Sequence, residues 1–314
     1  MMNKRIVIVG SLNMDFVVQM EKLPLGGETV HGREFQMLPG GKGANQACAV
    51  GRLGGHGKMV GCVGADIFVE KLKSSLESAG VDTTHVRSVE GESTGVALIH
   101  VEAGGQNQIV IVSGANARLS AENVQAVLNP LQGGYILMQL ESPMEAVEVA
   151  GHLGRKQGMV TILDPAPAKH LSSLLLKSLD VLTPNETEAL LLLGRRASAV
   201  SLEEAPEIAR QLLQLGPKQV ILKLGEKGAW LADGKRSLHF PTHKVAAVDT
   251  TAAGDTFNGA LAVALAEGKR VEEAILFANG SAAISVTRLG AQASIPSREE
   301  VEVFLAKQAL FTPV

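Results

Sequence analysis

The chain has 314 residues, 46% of them hydrophobic and 3% aromatic, with a net charge of −3 and a pI near 6.3. This charge, without a long block of like charges, disfavours nucleic acid or an anionic membrane as the main partner. Two cysteines exclude a disulfide framework, and the sequence has neither a metal-ligand spacing nor a stretch near the length of a membrane span. We expect a cytoplasmic protein, built as one domain over residues 1–314 around an aliphatic core.

Apolar runs that end in glycine-rich turns alternate with helical patterns along most of the chain. Strands are predicted at Arg5–Val9, Lys58–Val63, Tyr135–Leu140, Met159–Leu163, Val181–Thr183 and Gln219–Leu224. Helices are predicted at Gly43–Leu53, Phe68–Ser78, Pro143–Gln157, Leu202–Leu215, Asp255–Ala266, Val271–Val286 and Arg298–Lys307. Alternation of this kind predicts an α/β fold, with a doubly wound, mostly parallel sheet flanked by helices on both faces.

Two stretches, about residues 14–38 and 93–114, break this alternation because they contain strand patterns but no crossover helix. Their strand patterns cover Phe16–Met20, Glu28–Leu38, Gly95–Val101 and Gln108–Ser113, with a hairpin turn at Gly104–Gly105. We predict that they form a small antiparallel sheet that projects from the main domain. Because such a sheet must bury one face, it would cover the active site as a lid or pair with another subunit. We therefore expect a homodimer through this lid.

The segment from Asp249 to Phe257 reads Asp-Thr-Thr-Ala-Ala-Gly-Asp-Thr-Phe and leads into an apolar helix. Its small residues let a ligand approach the backbone closely, and the first N–H groups of a helix have no partners within the helix. Together with the helix dipole, these groups predict an anion hole around Ala253 and Gly254. A phosphoryl group in transfer is an anion of the kind that such a hole stabilises.

Asp255 stands at this helix start with a carboxylate. In phosphoryl transfer an aspartate commonly accepts the proton of the attacking hydroxyl, so Asp255 is a candidate general base. The alternative is that Asp255 only complements the helix dipole while Thr251 caps the helix. The pattern by itself supports both interpretations equally.

The order Asp-Thr-x-x-x-Gly-Asp followed by Thr-Phe-Asn-Gly-Ala, from Asp249 to Ala260, resembles the C-terminal signature of the ribokinase family of carbohydrate kinases. A second match lies far upstream, in Pro-Gly-Gly-Lys-Gly-Ala-Asn-Gln-Ala from Pro39 to Ala47. The resemblance extends over nearly the whole chain and implies an ATP-dependent sugar kinase with Asp255 as the base. Much of the family has glycine at the position of Ala252, and we expect alanine to fit there if its φ is negative.

The resemblance implies that the sugar is held by Asn13, Asp15, Gly41, Lys42, Asn45, Glu141 and Asp255. Asn13 and Asp15 follow the first strand, and ligands of open α/β sheets gather beyond the carboxyl ends of strands. On pattern alone these two residues also fit a turn that satisfies its own backbone, and Glu141 also fits an ordinary acid at a helix start. The segment 40–45 is neither a Walker A loop nor a dinucleotide fingerprint, because Gln46 stands where the third glycine would be.

The resemblance likewise implies an ATP side formed by Asn185, Glu188, Lys223, Gly225, Gly228, Gly254 and Asn279. Asn185 and Glu188 are expected beside the phosphates, where they would organise Mg²⁺ largely through water. The same segment also fits a capping box of Thr183 and Glu186, with Pro184 at the first helical position. Both interpretations can hold together.

The loop from Lys223 to Gly228, together with Asn279, is expected beside the adenosine part of ATP, although on pattern the loop equally fits an ordinary turn. Members of the family also bind a monovalent cation next to the anion hole, which implies K⁺ activation here. The matching positions are Asp249, Thr251, Ser285, Arg288, Gly290 and Ser294, most of them acting through backbone carbonyls.

The resemblance thus implies a kinase that transfers phosphate from ATP to the 5-hydroxyl of D-ribose, giving ribose 5-phosphate and ADP. A close alternative keeps this chemistry for 2-deoxyribose, fructose, a keto-deoxy sugar acid or a nucleoside. A dinucleotide-dependent oxidoreductase is disfavoured because no Gly-x-Gly-x-x-Gly follows the first strand. A non-catalytic sugar-binding regulator is disfavoured by the intact Gly254–Asp255 pair.

Overall fold

The computed structural model describes residues 4–104 and 106–310 of the chain. Strands within these ranges are β1 (Ile6–Val9), β2 (Asn13–Met20), β3 (Gly32–Gly40), β4 (Gly57–Gly64), β5 (Asp82–Val89), β6 (Gly95–Glu102), β7 (Asn107–Val112), β8 (Tyr135–Met138), β9 (Val160–Leu163), β10 (Val181–Leu182), β11 (Gln219–Lys223), β12 (Ala229–Ala232) and β13 (Ser237–Phe240). Helices are α1 (Lys42–Arg52), α2 (Val69–Ser78), α3 (Ala121–Leu128), α4 (Met144–Lys156), α5 (Ser173–Ser178), α6 (Glu186–Leu192), α7 (Ala205–Gln214), α8 (Ala253–Ala266), α9 (Val271–Ser285) and α10 (Arg298–Leu310).

The large sheet has the order β13-β12-β11-β10-β9-β8-β1-β4-β5 among the described residues. Pairing is parallel from β11 to β5, and only β12 and β13 are antiparallel additions at one edge. The chain winds outward from β1 in both directions, through β4 and β5 on one side and through β8 to β11 on the other. This confirms the predicted doubly wound, mostly parallel sheet, and it makes the region beyond β1 the topological switch point where ligands of such folds bind.

Strand β1 shows how the sheet is buried on both faces. Ile6 and Ile8 belong to the core formed with α1, α2, α8 and α9, whereas Val7 and Val9 belong to the core formed with α3 to α7. Successive side chains of a strand point to opposite faces, so an uninterrupted apolar run such as Ile-Val-Ile-Val is what a strand between two helical layers requires.

Among the described residues, no helix is both long and apolar enough to span a membrane.

The second sheet has the order β3-β2-β6-β7 and confirms the small sheet predicted for the two irregular stretches. Its hairpin pairs β2–β3 and β6–β7 are antiparallel, but the central pair β2–β6 is parallel. The purely antiparallel prediction is wrong at this pair, because both strands start from the main domain and run outward from it. The predicted turn at Gly104–Gly105 lies partly outside the described residues, since Gly105 is not among them.

Helix α6 begins two residues later than the sequence pattern indicated. Thr183 still belongs to the strand region, where its N–H donates to the Leu163 carbonyl at 2.9 Å. Asn185 is the N-cap instead, its side chain accepts from the Glu188 N–H, and the Glu188 side chain accepts from the Asn185 N–H in return. A capping box is present as predicted, but its members are Asn185 and Glu188 rather than Thr183 and Glu186.

Candidate active site

Most of the predicted site residues gather beyond the carboxyl ends of the central strands. Asn13 and Asp15 begin β2 just past β1, and Glu141 lies just past β8. Helices α1 and α8 begin at the same end of the sheet, since the Asn45 side chain of α1 bonds to Asp255 of α8. Both helix starts therefore face a cluster of polar side chains, but only α8 offers amides without an acceptor among the described residues, those of Gly254 and Asp255. The Ala253 N–H, expected in the anion hole, donates to the Thr250 carbonyl at 3.2 Å, and the first amides of α1 donate to the side chains of Glu141 and Ser11.

The start of α8 is built by an unusual backbone conformation. Ala252 is the N-cap with φ 59° and ψ 12°, and it is the only non-glycine residue of the described ranges with a positive φ. The condition of a negative φ, under which alanine was expected to fit, is therefore not met, and Ala252 takes the left-handed conformation that glycine adopts more readily. Thr251 does not cap the helix either: its hydroxyl and its N–H both donate to Asp249 Oδ1.

Asp255 lies in the first turn of α8 and is 5% exposed. Asn45 Nδ2 donates to its Oδ2 at 3.0 Å, and Gln46 Nε2 donates to its Oδ1 at 3.0 Å. Burial raises the pKa of Asp255 to about 6, although the nearby Lys42 ammonium and these two donors favour the charged form. A carboxylate with such a pKa is ionised at neutral pH and can still take up a proton, as a general base must.

Lys42 is the first residue of α1 and brings a positive charge to the same place. Burial opposes that charge, but the carboxylates of Asp255, Asp164 and Glu141 more than compensate and raise the pKa of Lys42 above its ordinary value. The turn before it depends on Gly41, whose φ of 87° is accessible to glycine at little cost. The Lys42 N–H donates to Glu141 Oε2 at 3.0 Å, so Glu141 is fixed at the start of α1.

Asp15 is a buried carboxylate, 8% exposed, that accepts no hydrogen bond from the described residues. Burial, together with the charges of Glu141 and Asp255, raises its pKa to about 7. Its neighbour Asn13 is held in place, because Asn116 Nδ2 donates to Asn13 Oδ1 at 2.8 Å. An unpartnered buried carboxylate is costly, and a ligand that donates hydroxyl groups to it would remove that cost.

Asn185 and Glu188 lie on the other side of the cluster. Both Glu188 oxygens accept from Asn185, at 2.8 Å from its N–H and at 2.9 Å from Nδ2. Burial raises the pKa of Glu188, with Lys223 lowering it and Asp164 raising it. Asn185 and Glu188 thus cap α6 in place of the predicted Thr183 and Glu186, while the Glu188 carboxylate keeps lone pairs for further partners.

Lys223 ends β11 and pairs with Asn185 in an isolated parallel bridge. Its Nζ donates to Asp164 Oδ1 at 2.8 Å, and it lies 3.4 Å from the position that a Cβ on Gly254 would take. The Lys223 side chain therefore reaches the anion hole at the start of α8. The resemblance implies only that the loop from Lys223 to Gly228 lies beside adenosine, and no sequence pattern indicates this reach of the Lys223 side chain.

The remaining nucleotide candidates form a second group around residues 240–242. Asn279 Nδ2 donates to the Phe240 carbonyl at 3.1 Å and to the Pro241 carbonyl at 3.3 Å. Gly228 passes so close to this segment that any side chain there would collide with the Phe240 carbonyl. Gly225 instead faces open space. Gly228 and Asn279 thus meet at one place, whereas Gly225 lies on the open side of the loop.

The residues expected around a monovalent cation lie in two neighbouring segments beside α8. Asp249 joins them, because its Oδ1 accepts from Thr251 and its Oδ2 accepts from the Gly290 N–H at 2.9 Å. The Ser285 carbonyl accepts from the Arg288 N–H at 3.1 Å, and the Ser294 hydroxyl donates to the Ala291 carbonyl at 2.8 Å. The Arg288 guanidinium is turned to Glu300, in agreement with a role for its carbonyl rather than its charge.

Several buried polar residues of this site were missed by the sequence patterns. They are Ser11, Gln46, Asn116, Gln139 and Asp164. Asp164 directly follows β9, so the strand-end rule that located Asp15 could also have found it. Gln139 directly follows β8 and carried the same signal, whereas Gln46 and Asn116 carried none, since their partners lie about a hundred or more residues away along the chain.

Comparison with known proteins identifies the family of this chain. A family model described as pfkB family carbohydrate kinase matches residues 3–298. A ribokinase of Haemophilus influenzae is 42% identical over 305 residues, which cover 97% of this chain and 99% of the relative. A deoxyribokinase of Salmonella typhi is 37% identical over 303 residues, which cover 96% and 98%.

A solved structure of Arabidopsis thaliana ribokinase, complexed with ribose and ATP, superposes with a TM-score of 0.88. The two chains are 37% identical, and the alignment covers 97% of this chain and 99% of the other. Family model, sequence relatives and fold all agree over nearly the full length. The chain therefore belongs to the pfkB family of carbohydrate kinases.

Proposed function

We propose that this kinase transfers the γ-phosphoryl group of ATP to the 5-hydroxyl of D-ribose, giving ribose 5-phosphate and ADP. The observation that carries the proposal is the start of α8, where the buried Asp255 carboxylate stands next to the backbone amides of Gly254 and Asp255, which have no acceptor among the described residues. The relatives that are ribokinases support ribose as the substrate. The deoxyribokinase relative makes 2-deoxyribose the principal alternative.

In the proposed reaction the sugar oxygen attacks the γ-phosphorus while the bond from that phosphorus to the bridging oxygen of ADP breaks. The hydroxyl proton passes to Asp255, which Asn45 and Gln46 hold in place through its two oxygens. Because the Ala253 N–H donates to the Thr250 carbonyl, the amides of Gly254 and Asp255 are the ones left to stabilise the charge on the transferring group. General-base help of this kind contributes about 10²–10⁴-fold to the rate.

The sugar would be held by the groups that the structure leaves unsatisfied or exposed to the cluster. The Asp15 carboxylate lacks a donor, and the buried Asn45 Oδ1 also has no hydrogen-bond partner among the described residues. Asn13 beside Asp15 suits a sugar with vicinal hydroxyls, and Gly41, Lys42 and Glu141 complete the sugar side. Charge-assisted hydrogen bonds from sugar hydroxyls to Asp15 would supply much of the binding.

Mg²⁺ is expected with ATP, and the residues present fit it. The described residues contain no cluster of three or more His, Cys, Asp or Glu side chains able to bind a metal ion by themselves. Mg²⁺ seldom needs such a cluster, because it keeps several waters and takes oxygens from substrate phosphates. Glu188, oriented by Asn185, would hold it largely through water. When bound, Mg²⁺ neutralises charge on the ATP phosphates.

A monovalent cation, K⁺ by family likeness, would bind among Asp249, Thr251, Ser285, Arg288, Gly290 and Ser294. The chemistry of this set fits, because it offers backbone carbonyls and one carboxylate. Its position beside α8 means that a bound cation would steady the turn that aims the helix amides. The cation adds no group to the reaction itself.

The small sheet would act as a lid and as a dimer contact, one role for each face. Residues of β2, β3, β6 and β7 that pair directly share a face, so Asn13 and Asp15 lie on the same face as Ile109 and Ile111. The opposite face carries Phe35, Met37, Leu98, Val110 and Val112, each between 41% and 57% exposed. Apolar surface of this kind is typical of a protein interface, so we place the homodimer contact there.

ADP release measured against D-ribose, 2-deoxyribose, fructose, a keto-deoxy sugar acid and adenosine tests the proposal, with K⁺ and then Na⁺ in the buffer. We expect the highest kcat/KM with D-ribose, by tenfold or more over 2-deoxyribose, because a site that bonds a hydroxyl rejects the analogue without it. Faster turnover in K⁺ supports the cation site. Equal or better turnover of 2-deoxyribose would overturn the ribose assignment, and no turnover of any sugar would overturn the kinase function itself.

We also propose that the kinase acts in the cytoplasm.

A further inference from the structure

An ion pair on the floor of the site, Lys223 with Asp164, has no part in the reaction as proposed so far. The Asp164 side chain is 2% exposed and that of Lys223 is 13% exposed, with 2.8 Å between Nζ and Oδ1. Buried ion pairs are weak sources of stability, because taking two charges out of water costs about as much as their attraction returns. The position of this pair therefore calls for a functional reason.

The Lys223 ammonium is directed at the anion hole. Its Nζ lies 3.4 Å from where a Cβ on Gly254 would be, in the first turn of α8. An ammonium group has three N–H donors, and among the described residues only Asp164 accepts from this one. At least one N–H donor of the ammonium group is thus left for a ligand. It lies at the place where the amides of Gly254 and Asp255 also lack an acceptor among the described residues.

Asp164 is held as firmly as the lysine that it orients. Gln46 Nε2 donates to Asp164 Oδ2 at 2.9 Å and to Asp255 Oδ1 at 3.0 Å. Gln46 is fixed in turn, because its Oε1 accepts from Gln139 Nε2 at 2.6 Å. One hydrogen-bonded network therefore sets the distance between the candidate base, Asp255, and the candidate phosphate cation, Lys223.

We propose that Lys223 is a catalytic residue that donates from its ammonium to the γ-phosphoryl group during transfer, and that Asp164 is the positioning residue that holds it there. The proposal rests on the kinase function proposed above. Lys223 keeps its proton throughout, so the attacking oxygen, the leaving ADP and the proton on Asp255 stay as already written. An ammonium fixed in a poorly hydrated site stabilises developing charge without having to reorganise.

Four variants test the proposal: Lys223→Met, Asp164→Asn, the two combined, and Lys223→Arg. We expect Lys223→Met to lower kcat by about 10²–10³-fold, the usual effect of one charge-stabilising donor, with the KM for ribose changed by less than about threefold. Lys223→Arg keeps the charge and is expected to recover part of this loss. Lys218→Met, in the exposed Lys218–Asp180 pair at the other end of the strands, is the control and leaves kcat unchanged.

The combined variant separates catalysis from folding. Each single change leaves one buried charge without its partner, whereas the combined change leaves none, so its unfolding temperature should return toward that of the unaltered chain. We expect its kcat to stay as low as that of Lys223→Met. A combined variant that regains both stability and kcat would show that the pair is structural and would overturn the proposal.

A binding measurement keeps the test independent of turnover. Calorimetry with Mg²⁺ compares ADP with an ATP analogue whose β–γ bridge is an imido group. Lys223→Met is expected to lower the binding affinity for the analogue by about tenfold and that for ADP by less than about twofold. Equal losses of affinity would contradict a γ-phosphoryl contact. If no sugar is turned over, the kinase function has failed while this comparison still tests Lys223.

The Mg²⁺ requirement tests the role of Asp164. As a positioning residue, Asp164 should affect kcat through Lys223 alone, so the Mg²⁺ concentration for half-maximal rate should be alike in Asp164→Asn and Lys223→Met. A requirement raised only in Asp164→Asn would mean that this carboxylate serves the metal ion, and would overturn the positioning role.

Discussion

Two regions depart in opposite directions from the usual pattern of buried apolar and exposed charged side chains. They are the floor of the site, where the buried carboxylates lie, and the outer face of the small sheet, which is the face opposite Asn13 and Asp15. The floor buries the carboxylates of Asp15, Asp164 and Asp255, whereas the sheet exposes Phe35 and Val110, which are 56% and 57% exposed. Buried charge and exposed apolar surface are each unfavourable in the isolated chain. The difference indicates what each region binds: polar small molecules at the floor and another protein surface at the sheet.

Removal of the Asp255 carboxylate is the largest expected effect and concerns the floor. We predict that Asp255→Ala lowers kcat by about 10²–10⁴-fold, because the sugar hydroxyl loses its base. Asp255→Asn, which keeps the shape of the side chain, is the matched control and should lose a similar factor while the protein stays folded by circular dichroism. Near-normal ADP release by either variant would remove Asp255 from the mechanism.

A charge on each face of strand β7 distinguishes the two roles of the sheet. Val110→Lys is expected to convert the dimer to a monomer in gel filtration at micromolar concentration, because it places a charge in the proposed contact. Ile109→Lys alters the face shared with Asp15, so it should leave the dimer intact and raise the KM for ribose. An unaltered chain that elutes only as a monomer, or a dimer that survives Val110→Lys, would contradict this assignment.

Neutralising Asp15 tests the cost of the buried charge. Its folded pKa is about 7, above the ordinary 3.8, so the stability that its protonated form contributes is complete below about pH 4 and is lost as the pH rises through 7. Asp15→Asn should therefore raise the free energy of unfolding by about 1–3 kcal/mol at pH 8 and by less at pH 5. It should also raise the KM for ribose by about 10–100-fold.

Thermal unfolding at the two pH values and ribose titrations check both parts of this prediction. A stability gain that does not grow with pH would contradict the raised pKa of Asp15. An unchanged KM would remove Asp15 from the sugar site.

The smallest expected effect concerns the turn before α8. Ala252 has φ 59°, a conformation that costs a non-glycine residue about 1–2 kcal/mol. Glycine relieves this cost, but it also makes the unfolded chain more flexible, which offsets part of the gain. Ala252→Gly should therefore raise the free energy of unfolding by only about 0.5–1 kcal/mol, as measured by denaturant unfolding. Ala253→Gly, at a helical position, is the control and should lose stability. A loss at Ala252→Gly would mean that the turn is not strained.

The sequence predicted the architecture well, because alternation of apolar strands and helices depends on local pattern. It also located Asp15 and Glu141 shortly beyond the ends of β1 and β8, although their roles as sugar contacts were implied by the family resemblance and not by the pattern. It did not predict the positive φ of Ala252, because alanine can take either sign of φ and the residue type alone does not show which one the fold imposes. It also did not predict the Lys223–Asp164 pair, because that contact joins residues 59 positions apart at the ends of two separate strands. Long-range pairing of this kind is fixed by the fold and leaves no periodic signal.

The pH dependence of kcat/KM for ribose, measured by ADP release in the unaltered chain and in Asp255→Asn, tests the central claim most directly. Burial raises the pKa of Asp255 to about 6, and the base must be ionised to act. In the unaltered chain, protonation of Asp255 should lower the rate by up to tenfold per pH unit below about pH 6, while the small residual rate of Asp255→Asn lacks this step. Protonation of Asp15 near pH 7 weakens ribose binding in both proteins alike. A rate that stays constant from pH 8 to pH 5, or the same step near pH 6 in both proteins, would contradict the account.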